Sequence, residues 1–493
     1  MMTSTLGEMV ATIAPSIPPS LMSSANIEAI ATVAHHFPLT LGTTVGFECP
    51  LTAPEPAADF FLRVSGAWGR SLLAGQPVAP PILAQFQKAN SLEPHAEPPG
   101  FNKLWSCPPW QNIRQIAQRW AEPTSLLHTA IDDLWLEFDI GSRSSLKPNQ
   151  DSCADVLSRM GKTNVCPSAS GLDGQRTSGR AHPTFGNGIP QPSTFLGVKS
   201  PGLPSLDWVG QIALPTLVGS VLSPQIQTTL QRCLAALPSS ARLFQVGALS
   251  GRVSSPTDCP PLRLYIQNLT VSQLPSLLER LSWPGDRTLL THMLARIGSQ
   301  SETCSLQLEL EEVKEPHVST HPVSALSPKI AIECAFPDRT AWQKVLSRLV
   351  MLGFCRPDRA KALLEYPGYV RAQDSVNFPP LLKDWSAQLA PYRECLLVKR
   401  LAYLKFTYEP GHPLQAKAYL GLSPTWLDAR YLQSNAANAA ASDDQESMAI
   451  KVCKDLIQQL DYGEIDVDEL FISQRSQKSR WLNHALETMC IGT

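Results

Sequence analysis

Apolar and polar residues alternate, one by one, in several short stretches of this chain. Leu262-Arg263-Leu264-Tyr265-Ile266-Gln267 sets aliphatic side chains on one side and Arg, Tyr and Gln on the other. Leu306-Gln307-Leu308-Glu309-Leu310-Glu311, Lys329-Ile330-Ala331-Ile332-Glu333 and Lys417-Ala418-Tyr419-Leu420 follow the same rule. A period of two marks a β-strand with one face on a packed layer and the other on water or a cavity.

These strands come in pairs, and helical sequence separates the pairs. The pattern predicts five helix–strand–strand–helix units. The first has a helix at 27–36, strands at 44–50 and 59–64, and a helix from 67. The second has a helix at 111–120, strands at 133–140 and 194–198, and helical sequence after 207. In the third, Ser223 is an N-cap for a helix running to 237, with strands at 242–249 and 262–269 and a helix at 271–281. The fourth has a helix at 286–297, strands at 305–313 and 329–336, and a helix at 340–352; the fifth has a helix at 357–365, a turn-rich loop, and strands at 397–408 and 416–422. Glu409-Pro410-Gly411-His412 is a turn between those last two.

Ten strands in sequential antiparallel pairs are expected to close into a barrel, with helices over the aliphatic outer face and the polar faces lining a lumen. The fold class is thus α+β: a closed antiparallel ten-strand barrel of five αββα repeats. An open sheet with its polar face in water satisfies the same pattern. Residues 1–26 are expected as an N-terminal tail, 27–430 as the barrel, and 431–493 as a C-terminal tail with one helix at 444–460 and an acidic stretch at 464–469. The segment 141–193 is rich in Ser, Gly, Pro and Asn and is expected to be a mobile insertion.

Composition narrows the function. The chain has 493 residues and a net charge of −2, so it lacks the basic surface that nucleic acid demands. No run of eighteen apolar residues suggests a membrane span. The 12 cysteines form no CxxC pair and read as free thiols, so a cytoplasmic location is expected. Asp132-Asp133 and Asp443-Asp444 lack a DDxxD spacing, and His317 and His321 are bracketed by Pro316 and Pro322, so no metal site is expected.

The inward faces carry the chemistry. They collect Glu48, Arg63, Glu137, Asp139, Gln245, Arg263, Tyr265, Gln267, Gln307, Glu309, Lys329, Glu333, Tyr403, Lys405, Thr407, Lys417 and Tyr419. Buried charges need partners. Full pairing makes a salt-bridged core, with Arg63 one candidate partner for Glu48. Cations gathered at one end make an anion site suited to phosphate or diphosphate.

Val45-Gly46-Phe47-Glu48, followed by Phe60-Phe61-Leu62-Arg63, resembles the first strand pair of the αββα-barrel aromatic prenyltransferases, the dimethylallyltryptophan synthase type included. Leu262-Arg263-Leu264-Tyr265 and Ala416-Lys417-Ala418-Tyr419 resemble the basic-x-Tyr strands of their third and last repeats. The resemblance spans roughly 27–430 and implies a metal-independent transferase of secondary metabolism with no cofactor. It moves a prenyl group from a prenyl diphosphate to an indole, a phenol or a peptide side chain. In that reading Glu48 holds the acceptor. Arg63, Arg263, Lys329, Lys405 and Lys417 hold the diphosphate, and Tyr265, Tyr403 and Tyr419 shield the allylic cation. Thr194-Phe195-Leu196-Gly197 departs from the basic-x-Tyr pattern, and Lys329 has no tyrosine two residues on. A non-catalytic ligand- or peptide-binding barrel, or an enzyme acting on another phosphorylated substrate, fits the same lumen.

Overall fold

The structure, a computed structural model, describes residues 4–42, 44–76, 104–140, 191–199, 206–253, 259–297, 303–312, 325–389 and 393–428. The expected insertion, apart from residues 191–193, and the expected C-terminal helix and acidic stretch lie outside the described residues.

The strands are β1 (Thr44–Pro50), β2 (Asp59–Ser65), β3 (Ile131–Phe138), β4 (Ser193–Val198), β5 (Arg242–Ala248), β6 (Leu262–Leu269), β7 (Cys304–Leu310), β8 (Leu326–Cys334), β9 (Gly368–Arg371), β10 (Arg393–Tyr408) and β11 (Gln415–Asp428). Their order is β11-β1-β2-β3-β4-β5-β6-β7-β8-β10-β9, and β10 pairs back onto β11. That last pairing closes a ten-strand antiparallel barrel, and β9 hangs on the first half of β10. Closure leaves no open edge in the ring and decides against the open sheet.

Helices cover the outside because each carries one apolar stripe. The helix Pro108–Ala121 opens on proline and buries Trp110, Ile113, Ile116, Ala117 and Trp120, spaced three or four apart. Pro123 stops it. Trp110 meets Phe37 and Phe138, and Phe138 stacks with Phe60 of β2 at 5.9 Å. The helix Arg339–Met351 starts at Asp338, whose carboxylate accepts from the Ala341 N–H at 2.8 Å. It buries Trp342, Val345, Leu346 and Leu349. Among the described residues, no helix is long and apolar enough to cross a membrane.

Three stretches differ from the sequence expectation. Within the expected N-terminal tail, Leu6–Ile13 is a helix that buries Leu6, Met9, Val10 and Ile13 in the main core. Their i, i+3, i+4, i+7 spacing carried that signal. The expected turn-rich loop before β10 contains β9 and the helix Pro380–Leu389. Finally, β10 and β11 run to 16 and 14 residues and pair over most of that length.

Two lumen glycines let rings lie flat on the inner wall. Gly46 faces Phe61 across β1–β2, and Gly247 faces Phe195 across β4–β5. A Cβ on Gly46 would run into the Phe61 ring and the Leu420 carbonyl; one on Gly247 would run into the Phe195 ring and the Thr194 carbonyl. Gly247→Ala is therefore expected to cost about 1–3 kcal/mol, because a ladder carbonyl cannot move aside as a side chain can. Urea denaturation checks it; an unchanged midpoint would show that the wall yields.

Candidate functional site

Inside the barrel, strand parity sets which residues meet. Val45, Phe47 and Cys49 join the outer core, which turns Glu48 inward; Leu262, Leu264 and Ile266 do the same for Arg263 and Tyr265. Glu48 is 0% exposed, Arg263 2% and Lys405 4%, so this lumen shields charge from water.

Charge gathers at one end. Lys417 Nζ lies 2.6 Å from Glu48 Oε1, and Lys405 Nζ lies 3.7 Å from the same atom. Tyr419 donates its hydroxyl to Glu48 Oε2 at 2.5 Å and accepts from Lys405 Nζ at 3.1 Å. Lys417 also reaches Asp59 at 4.0 Å. Arg252 binds Glu137 at 2.8 Å and Asp139 at 3.0 Å, and Arg263 binds Glu309 at 2.5 Å. At this end carboxylates outnumber cations. Glu48, Asp59, Glu137, Asp139, Glu309 and Glu333 face Arg252, Arg263, Lys405 and Lys417, with half-buried Lys329 adding its attraction to Glu309.

Protonation follows this imbalance. Burial pushes the Glu48 carboxyl up, but Lys405, Lys417 and the Tyr419 hydroxyl outweigh it and hold it well below the usual carboxylate range. Burial likewise opposes ionisation of Glu309, yet Arg263 and Lys329 bring it down to about 2. Asp59 goes the other way, to about 7: burial and Asp139 raise it, and Lys417 only partly compensates. Glu333 is also pushed up to about 7, chiefly by burial. Its cross-strand neighbour Lys405 turns instead to Glu48 and Tyr419, leaving Glu333 a hydrogen bond from the Gln307 amide. Burial lowers Lys405, and the nearby Arg263 and Lys417 lower it further.

Beside this charged end lies an aromatic chamber of about 240 Å³, lined by Phe61, Trp135, Glu137, Phe195, Phe244, Gln245, Tyr265, Gln267, Ser305, Glu333, Ala335, Tyr403 and Tyr419. Tyr403 stacks on Tyr419 with centroids 4.3 Å apart, and Phe61 lies 5.7 Å from both Tyr419 and Trp135. Phe195 meets Tyr265 edge-on at 5.5 Å. Half-buried Gln267 and Ser305 and exposed Ala335 mark its mouth.

The structure brings together Glu48, Lys405, Lys417, Tyr403 and Tyr419, and places Arg263 with Tyr265, whose hydroxyl lies 3.4 Å from the guanidinium. Arg63 stands apart. It faces Thr44, whereas Lys417 faces Pro50, six positions along β1 or about 20 Å. Its partner is Asp133 at 2.7 Å, not Glu48, and it lies over Trp135. Lys329 is half-buried in the first half of β8. Sequence reasoning missed Arg252, which sits in the turn Ser250–Arg252 outside any alternating stretch, and it overlooked Asp59 and Asp133. It also missed Phe61, Trp135 and Phe195, although Phe61 shares Arg63's parity and Trp135 shares Glu137's. Among the described residues, no group of three or more His, Cys, Asp or Glu is placed to hold a metal.

Two outcomes follow from this electrostatic layout. Glu309→Gln leaves the Arg263 guanidinium buried without its counter-charge and is expected to cost about 3–5 kcal/mol in urea denaturation. Replacing both by Leu and Met should recover most of that loss. Glu333 has a folded pKa near 7, above that of an unfolded carboxyl at about 4.3. Between those values the folded state holds the extra proton, so this group's contribution falls as pH rises through the window. Glu333→Gln is therefore expected to gain melting temperature over the parent at pH 8, by roughly 2–4 °C per kcal/mol relieved, and little at pH 4.5. Equal differences at both pH values would refute this.

No family model matches the chain, and no curated protein matches it. Among solved structures it is similar to the apo form of the prenyltransferase PriB, at 11% identity and a TM-score of 0.38, over 84% of this chain and 94% of that one. It is also similar to 5-dimethylallyltryptophan synthase from Streptomyces coelicolor, at 13% identity and a TM-score of 0.38, over 85% and 98% of the two chains. The same synthase in complex with DMASPP and Trp aligns at 12% identity and a TM-score of 0.37, over 85% and 95%. Likeness at this level assigns no residue a role.

Proposed function

We propose that this barrel transfers a prenyl group from a prenyl diphosphate to an aromatic acceptor. One observation carries the reading: the ammonium groups of buried Lys405 and half-buried Lys417 converge on the Glu48 carboxylate, with Asp59 at 4.0 Å from Lys417, beside a chamber walled by aromatic rings. Burial lowers the pKa of Lys405, with Glu48 opposing it and Arg263 and Lys417 adding to it, so an anion arriving there would be welcomed by an ammonium that water does not reach. Arg263 adds to it a buried Nε with no acceptor.

In this reading the allylic C–O bond breaks and its electron pair leaves with the diphosphate. Lys405, Lys417 and Arg263 stabilise the departing oxygens. The carbocation is left facing Tyr265, Tyr403 and Tyr419, whose ring faces attract it and whose bulk keeps water away. The acceptor ring attacks, and the resulting arenium ion loses its proton to a carboxylate. Glu48 positions the acceptor through a hydrogen bond, but two ammonium groups make it a weak base. Glu333, which lines the chamber and sits near 7, is better matched to take that proton.

A second reading rests on its own observation. Arg63, Arg252 and Arg263 already hold carboxylates, and among the described residues no cation lines the chamber. A barrel that binds a ligand without transforming it needs no free cation.

Calorimetry with pyrophosphate and a prenyl thiodiphosphate separates the two, followed by mass spectrometry after incubation with prenyl diphosphates and an indole and phenol panel. Transfer requires binding at or below millimolar concentration and an acceptor heavier by one prenyl group. Lys417→Ala is expected to weaken diphosphate binding by about tenfold or more, the equivalent of about 1.4 kcal/mol. Tyr419→Phe keeps its ring face and is expected to cost less. No binding and no product would leave the binding barrel.

A further inference from the structure

We infer that the aromatic chamber is a site for a small organic ammonium ion. This deepens the reading above, since it rests on the lumen being the ligand site, and it names the charge of what the chamber accepts.

Composition of the wall is the first observation. Among the described residues, the charged side chains that line the chamber are both acidic: Glu137 and Glu333. The cations nearest the wall hold carboxylates of their own, although Arg63, Arg263 and Lys405 also lie over the rings of Trp135, Phe195 and Tyr419. Arg252 holds Glu137 from beneath, and Lys405 points to Glu48 and Tyr419.

Glu333 is the second observation. It is 9% exposed, it accepts from the Gln307 amide, and among the described residues no cation lies within ion-pair distance of it. An ionised carboxyl buried in that setting is costly unless a positive group completes it. Without one it keeps its proton to about pH 7.

The rings are the third. Tyr403 and Tyr419 stack at 4.3 Å, with Phe61 and Trp135 continuing the wall. Ring faces attract cations, most strongly where water is excluded, and alkylammonium ions suit such walls because their methyl and methylene groups also bury apolar surface. An anion gains nothing from these faces and is repelled by each of the two carboxyl groups once it is ionised. Roughly eight waters would fill the volume, which suits a compact amine joined to one aromatic ring.

Binding an ammonium ion drives the proton off Glu333, so affinity for a cation should rise with pH until that group is fully ionised. The charged and titratable groups facing Glu333 are Lys405 and Tyr403 from β10, Arg263 and Tyr265 from β6, Glu48 from β1 and Glu137 from β3. The two tyrosines and Arg263 are pushed above the pH 5–8 window and Glu48 below it. Lys405 is lowered, so a Glu333 variant is needed to assign the dependence.

The test is calorimetry of the full chain with phenethylamine and with 2-phenylethanol, which has the same ring and chain length but no charge. At pH 8 the amine is expected to bind at least tenfold more tightly than the alcohol, and at pH 5.5 that preference should shrink. Glu333→Gln should bind the two alike. Ala335→Trp, a substitution at the exposed mouth, should block both. If the parent binds amine and alcohol equally, the lumen remains a ligand site and the charge assignment is overturned. If neither binds at millimolar concentration, the lumen reading falls and this inference with it. A Glu333→Gln variant that keeps the full preference refutes the role of Glu333; if that variant fails to fold, loss of the preference at pH 5.5 in the parent upholds the assignment and its persistence refutes it.

Discussion

Closing ten antiparallel strands into a ring forces ten polar faces into one space that water scarcely reaches. Everything else in this protein answers to that constraint. A charge placed there costs several kcal/mol unless another charge or a set of donors meets it. The lumen therefore cannot be read residue by residue. Lys417, Glu48, Tyr419 and Lys405 form one linked group drawn from β1, β10 and β11, and the seam where β10 meets β11 is also where the barrel closes.

The interior is divided by what each strand can offer. One end is ionic, with Arg252 and Arg263 holding Glu137, Asp139 and Glu309. The middle is aromatic, and glycines opposite Phe61 and Phe195 make room for the rings. The two zones meet at Tyr419, whose hydroxyl belongs to the ionic group and whose ring belongs to the wall. A residue with both an apolar face and a polar tip is what such a boundary requires. Cations also reach the rings: Arg63 lies over Trp135, Arg263 over Phe195 and Lys405 over Tyr419.

The imbalance of charge gives the site its character. Two ammonium groups crowd the carboxylate of Glu48, while among the described residues no cation lies within ion-pair distance of Glu333. These opposite deficits lie on neighbouring strands, since Lys405 faces Glu333 across the β8–β10 ladder. A pocket with ammonium groups at its base and, among the described residues, only carboxylates as charged groups on its wall is suited to separating charge. Ionisation of an allylic diphosphate is one reaction that does so.

Alternation by itself marked the ten barrel strands and which of their faces turns inward, because a period of two is a local property of the backbone, but it missed β9 and left closure of the sheet open. It also located the basic and tyrosine positions that meet in the lumen. It was silent on the partner of each charge. Arg63 and Glu48 lie on adjacent strands, yet register puts Arg63 opposite Thr44 and gives it to Asp133, and a shift of two or four residues along a strand leaves the inward pattern unchanged. Arg252 was illegible for another reason: it sits in a short turn, where no periodicity marks an inward direction. Whether the lumen's cations are shared or satisfied depends on distances between strands remote in sequence, and only the closed barrel sets those distances.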